Sequence, residues 1–273
     1  MTINLDLVID SAEDIDMKVG LESMQGVSDA VRYAAESILT GRTPERLTYK
    51  SKVRTSLKNS FKGSYGHIFS LNIYDEELMK RLNSIGRKVF IELISYLISE
   101  SLYREGNRLS PEAQKILGEL GETVEEVAKQ LRVSSLEKIH AVSVKFGHDI
   151  KIRYRKNHRE QVVIAKFDSD TAKVLQAEQT DEKFDLNIIV TRLNIYTGNG
   201  RLQIEDQNET IAFGFGIGYR SVKIEAKKLF SENLNYNNGL ERDKCRYLKV
   251  LVAPIKLRDG KVIKYIVKGL YEI

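Results

Sequence analysis

The chain has no tryptophan, one cysteine, three prolines and four histidines in 273 residues. Each shortage removes a class of chemistry. Cys245 alone cannot form an intramolecular disulfide or a cysteine-cluster metal site, and it suits a reducing compartment. His67, His140, His148 and His158 show no paired spacing of the kind that holds zinc. No apolar run reaches membrane-spanning length, because the longest, residues 89–97, is interrupted by Glu92, Ser95 and Tyr96. Met1 to Asp6 lack the basic and apolar regions of a signal peptide. These readings predict a cytoplasmic protein with no membrane partner, no metal and no cofactor.

Catalytic motifs are equally scarce. Gly214-Phe215-Gly216-Ile217-Gly218 is glycine-rich, yet it matches no Walker A loop and lacks the strand–turn–helix unit of a dinucleotide fold. No Gly-x-Ser-x-Gly elbow occurs. Cys245 lies between the basic residues Lys244 and Arg246, but one thiol without a partner base defines no nucleophile. A metal-dependent nuclease needs clustered acids and a lysine. Asp10, Asp16 and Lys18, or Glu225 and Lys227, are the residues that would serve, and such triples arise readily among 38 acids. Catalysis therefore ranks third among the functional readings.

What the chain does have is segregated charge. Net charge is +5 with 42% hydrophobic and 30% charged residues, a composition that favours a packed core over disorder. Six Lys/Arg and no acid lie between Arg46 and Tyr74, and six lie between Lys145 and Arg159 against Asp149 alone. Nine more lie between Arg242 and Lys268 against Asp243 and Asp259. Acids gather at residues 6–16 and 112–126. Segregation of this kind attracts a polyanion, and an ordinary solvated surface is the plain alternative.

Periodicity supplies the elements. Ile3, Leu5, Leu7 and Ile9 alternate as a half-buried strand, and Met24, Val27, Val31, Ala34, Ala35 and Ile38 recur at helical spacing up to Gly41. After Pro44 the period becomes two. Leu47, Tyr49, Val53 and Leu57 fall on one face of an expected hairpin, with Arg46, Lys50, Lys52, Arg54 and Lys58 on the other. Residues 59–63 turn, and Tyr65, His67, Phe69, Leu71 and Ile73 continue. Residues 75–140 read as a helical middle. Asp75 is its first cap, Gly86 a bend, Ser110-Pro111-Glu112 a second start and Thr123-Val124-Glu125-Glu126 a capping box. Ile150, Ile152 and Tyr154 alternate with Lys151, Arg153 and Arg155 in a second basic hairpin. Its turn is Lys156-Asn157-His158-Arg159.

Polar residues 176–183 lack apolar periodicity and form the expected linker. Beyond them come three strands with turns at 197–200 and 206–209, a helix over 221–234, a strand broken at Pro254, and a last strand. That is the element order of a small five-stranded barrel with one inserted helix. The rhythm of Asn194 to Arg201 with Ile211-Ala212-Phe213 is similar to the first strands of OB and cold-shock barrels, although the aromatic motifs of those barrels are not reproduced. Leu21 to Gly26 opening a helix after a strand, followed by Lys62-Gly63-Ser64, resembles a family of uncharacterised bacterial proteins. That resemblance implies a similar start to the fold and carries no known activity to transfer.

The sequence thus predicts an α+β protein, with a mixed sheet-and-helix domain over residues 1–178 and an OB-like barrel over 179–273. The leading functional expectation is a non-catalytic bacterial accessory protein that binds DNA or RNA. Lys50, Lys52, Arg54, Lys58, Lys62, Lys151, Arg153, Arg155, Lys156 and Arg159 would supply the phosphate contacts. Tyr49, Tyr65, Tyr154, Tyr219, Tyr247 and Tyr265 lie near or among these charges and offer stacking surfaces. The alternative is a scaffold or homo-oligomeric subunit whose basic faces meet acidic protein partners.

Overall fold

Strand β1 (Thr2–Asp10) sets the plan of the first half of the chain, because it lies at the centre of a five-stranded antiparallel sheet ordered β2-β3-β1-β4-β5. The structure, a computed structural model, describes residues 2–11, 13–61 and 65–271. The other strands are β2 (Val53–Phe61), β3 (Tyr65–Ile73), β4 (Asp149–Arg155) and β5 (Gln161–Phe167). Ile3, Leu5, Leu7 and Ile9 face a helical layer and join one continuous apolar core, while Asp6, Val8 and Asp10 point to the opposite face.

The layer begins with α1 (Met17–Thr40), whose first turn is capped by the Asp16 carboxylate accepting from Val19 N. Gly41, in the left-handed region at φ 72°, ends it where the sequence places the stop. Gly26 is a close-approach position: a Cβ there would come 2.6 Å from Ile139 N and 2.7 Å from Ser135 O. The helical middle comprises α2 (Glu76–Ile85), α3 (Arg87–Ser101), α4 (Pro111–Leu120), α5 (Thr123–Gln130), a π-turn at Leu131–Ser135, α6 (Leu136–Ile139) and α7 (Ala141–Phe146). Asp75 and Ser110 cap α2 and α4 by accepting from Leu78 N and Ala113 N, and Gly86 separates α2 from α3. Helix α8 (Ser169–Val174) follows β5 and is capped by Asp168.

Local expectations differ from the structure in several places. Residues 59–61 continue β2 rather than turn, and the helix expected over 221–234 runs over Ile224–Asn237. Residues 46–52 form a looped approach rather than strand. Arg32 donates to Thr48 O and Val53 O, and the Thr48 and Ser51 hydroxyls accept local backbone N–H groups, so the segment is satisfied without a strand partner. Thr123 is not a cap, since Glu122 precedes α5 with no side-chain bond and the Thr123 hydroxyl donates to Gly41 O. Pro254 does not interrupt its strand. It lies beyond the last pair with β7, Val252 to Phe184, and stays in the sheet opposite Tyr265 of β11, its carbonyl accepting from Thr180 N at 3.1 Å.

The chain divides into two compact units, residues 1–175 and 176–273. The second contains the short β6 (Glu178–Gln179), then β7 (Phe184–Leu193), β8 (Gly200–Ile204), β9 (Thr210–Phe215), α9 (Ile224–Asn237), β10 (Leu248–Lys256) and β11 (Val262–Leu270). Pairing runs β7–β8–β9–β11–β10 and closes from β10 back to β7, with β9 and β11 parallel and the other pairs antiparallel. This is a closed barrel with OB strand order, and α9 is inserted between the third and fourth strands. Ile188, Val190, Leu202, Phe213, Val250 and Val252 fill it, with Phe230 of α9 packed against Phe213 at 5.2 Å between ring centroids. The α+β class with a small barrel stands as the sequence predicts. No helix is long and apolar enough to cross a membrane among the described residues.

Candidate nucleic-acid interface

The cations of β4 lie on the sheet face opposite the helical layer, where the register sets Arg153 across from Asp6 and Lys151 across from Val8. Arg155 grips Asp6 with both ends of its fork, Nε donating to Oδ1 at 2.6 Å and Nη2 to Oδ2 at 3.0 Å. Arg153 Nη2 adds a third bond to Oδ2 at 3.0 Å. Asp6 is fully buried. Phe61 closes the cluster, its ring 5.5 Å and 5.6 Å from the two guanidinium carbons. Gly66 makes room for that ring, because a Cβ there would meet it at 2.2 Å. Lys151 pairs with Asp10 one register step along. Counting acids along 145–159 misses these partners, since they arrive across the sheet from β1.

The 46–62 segment is deployed differently. Lys52 pairs with Asp75 at 2.6 Å, and their mutual hydrogen bond raises the lysine pKa and lowers that of the carboxyl. Arg54 lies 3.8 Å over the Tyr74 ring and donates to Tyr49 O. Lys50 sits 5.6 Å over the exposed Tyr49 ring. Lys58 is the bulged residue between Leu57 and Asn59 and is exposed. Lys62 lies outside the described residues. In the β4–β5 turn, Lys156 pairs with Glu160 at 3.0 Å while the Arg159 side chain carries no ion pair among the described residues.

Antiparallel register decides which of these residues meet. The start of β2 and the end of β4 both lie at the end of the sheet where β1 begins. Arg54 of β2 therefore shares that end with Arg155 of β4, and the loop with Lys50 and Lys52 and the turn with Lys156 and Arg159 adjoin it. From β2 to β4 is three strand spacings, roughly 14 Å. Lys58 lies mid-strand and Lys151 towards the other end, so neither joins the group.

The third basic segment is mostly spent on bracing the barrel. Arg242 donates to Asn208 Oδ1, Gln207 O and Ile204 O, Arg246 stacks on Tyr236, and Lys249 and Lys256 pair with Asp185 and Glu182. Lys264 is engaged as well: it is 4% exposed and donates to Asn199 Oδ1 at 3.2 Å. It lies opposite Ala212, which lies opposite Arg201, and Arg201 donates to the Thr210 hydroxyl and carbonyl. Lys264 crosses Gly214, where a Cβ would stand 3.1 Å from its Cε, and Lys268 crosses Gly216 in the same way at 3.0 Å. Those glycines clear a path for lysine chains. Sequence reasoning misses this trio because its only signal is the parallel pairing of β9 and β11, which no local pattern encodes.

Of the six tyrosines near the charges, Tyr49 is 78% exposed, Tyr265 is buried in the barrel and Tyr154 packs against the first core. The acids weighed for a nuclease serve separate tasks: Asp10 pairs with Lys151, Asp16 caps α1 and Glu225 sits in the first turn of α9. No group of three His, Cys, Asp or Glu side chains has metal-holding geometry among the described residues. No protein-family model, curated protein or solved structure matches the chain.

Proposed function

We propose that the protein binds nucleic acid without catalysis, through the cationic end of the first sheet, as an accessory protein of the bacterial cytoplasm. The observation that supports this most is that the start of β2, with Arg54 and the adjoining Lys50 and Lys52, and the end of β4, with Arg155 and the adjoining Lys156 and Arg159, lie at one end of the sheet. Paired acids reduce the field there but do not cancel it, since Lys50 and Arg159 have no ion-pair partner among the described residues. A span of roughly 14 Å covers about four nucleotides of one strand at duplex rise, and the exposed Tyr49 ring offers a stacking surface.

The structure also chooses the test. Reversing Lys52 or Arg54 would break the Asp75 ion pair or the Tyr74 stack and confuse binding with folding. Lys50→Glu with Arg159→Glu touches two exposed side chains instead. By gel shift on short DNA and RNA oligonucleotides at low salt, we expect affinity to fall at least tenfold. Unchanged affinity removes this surface from the proposal.

A further inference from the structure

We propose that the groove between β5 and α3 docks an extended acidic peptide, which adds as a sixth strand to the sheet. The site shares only Lys156 with the nucleic-acid surface, and its success or failure is independent of that reading. Strand β5 is the last in the sheet order, with no strand on its outer side among the described residues. Edge strands are usually blunted by charge, proline or cover, because unpaired N–H and C=O groups recruit other chains. Here the edge carries two successive valines, Val162 and Val163, 50% and 48% exposed. Beside it lies a groove of about 870 Å³ whose apolar floor includes Ile91 and Leu109. Ser95 Oγ donates to Ile164 O at 2.7 Å, which ties α3 to the strand there and leaves 161–163 open.

Charge selects the occupant. Arg87, Lys88 and Arg108 stand exposed on the rim and carry no ion pair among the described residues. The two acids of the groove are already engaged, Glu92 by the backbone N–H and hydroxyl of Ser110 and Glu160 by Lys156. An incoming strand alternates its side chains, so apolar groups would enter the floor while acidic groups meet the rim. A second copy of the chain would bring the same cationic rim against itself, which disfavours self-pairing.

The test uses the full chain and two fluorescein-labelled octapeptides, alternating Glu-Val and alternating Lys-Val. Fluorescence anisotropy should show saturable binding of the Glu-Val peptide and at least tenfold weaker binding of the Lys-Val peptide. Arg108→Glu, at an exposed position without a partner, should weaken the Glu-Val peptide at least tenfold and leave oligonucleotide affinity unchanged. Amide exchange should slow in β5 when the Glu-Val peptide is added. Absence of Glu-Val binding, equal binding of both peptides, indifference to Arg108→Glu, or protection outside β5 would each overturn the proposal. So would β5 amides already protected in a dimer of the chain alone.

Discussion

Asp6 and His140 show how single side chains fix this molecule in ways their neighbours in sequence do not announce. Asp6 is a buried carboxylate whose charge is matched by Arg153 and Arg155, and Arg153 Nε has no hydrogen-bond partner among the described residues. Removing one partner of a buried ion cluster leaves the others uncompensated, at a cost of about 3–5 kcal/mol. We expect Asp6→Asn to lose stability on that scale in urea unfolding; a loss below about 1 kcal/mol would show that solvent already screens the cluster. His140 is held at both ring nitrogens, by Leu136 O at 2.7 Å and the Thr171 hydroxyl at 2.8 Å, with Phe167 edge-on. Burial lowers its pKa, outweighing the backbone bond and the field of Asp168, while Arg104 lowers it further. The folded state therefore keeps the ring neutral where the unfolded chain takes up a proton. Stability from this group is complete above pH ~6.5 and is lost as pH falls through the lowered folded value. Thermal melts between pH 8 and 5 should show that decline, and His140→Gln should flatten it.

At the scale of elements, Gly26 ties α1 to the α6 turn. Alanine there would gain about 1 kcal/mol of helix propensity, but its Cβ would collide with the backbone at Ile139 and Ser135. We expect Gly26→Ala to destabilise by about 1–3 kcal/mol, as overpacking does, and a stabilised variant would mean the helices part easily. The same scale explains what the sequence reveals. Asp75, Ser110-Pro111 and Gly41 were readable because a cap is a local bargain between one side chain and the N–H or C=O groups within a few residues. The start of β2 was not, because Arg32 reaches across from α1 to satisfy Thr48 and Val53. Thr123 failed as a cap for a similar reason, its hydroxyl being drawn to Gly41 in a distant loop.

Across the whole molecule, the architecture was more legible than the site. Strand and helix periods gave the α+β class and the barrel, since each follows from which residues must be buried. The site depends on register, and register is non-local: it delivers Asp6 and Asp10 to the β4 cations and sets Lys264 beside Ala212 and Arg201. The barrel has a core of its own around Phe213 and Phe230. Residues 176–273 expressed alone should therefore melt cooperatively by circular dichroism, and a featureless transition would show that the core is insufficient. The central claim, nucleic-acid binding at the cationic sheet end, is tested most directly by the salt dependence of affinity. Each phosphate neutralised on a single strand contributes a slope of about −0.7 to log K against log salt. With about four contacts the intact protein should show a slope near −3, and Lys50→Glu with Arg159→Glu should reduce its magnitude by about 1.4 or more. A salt-independent affinity, or the same slope in both proteins, would contradict the account.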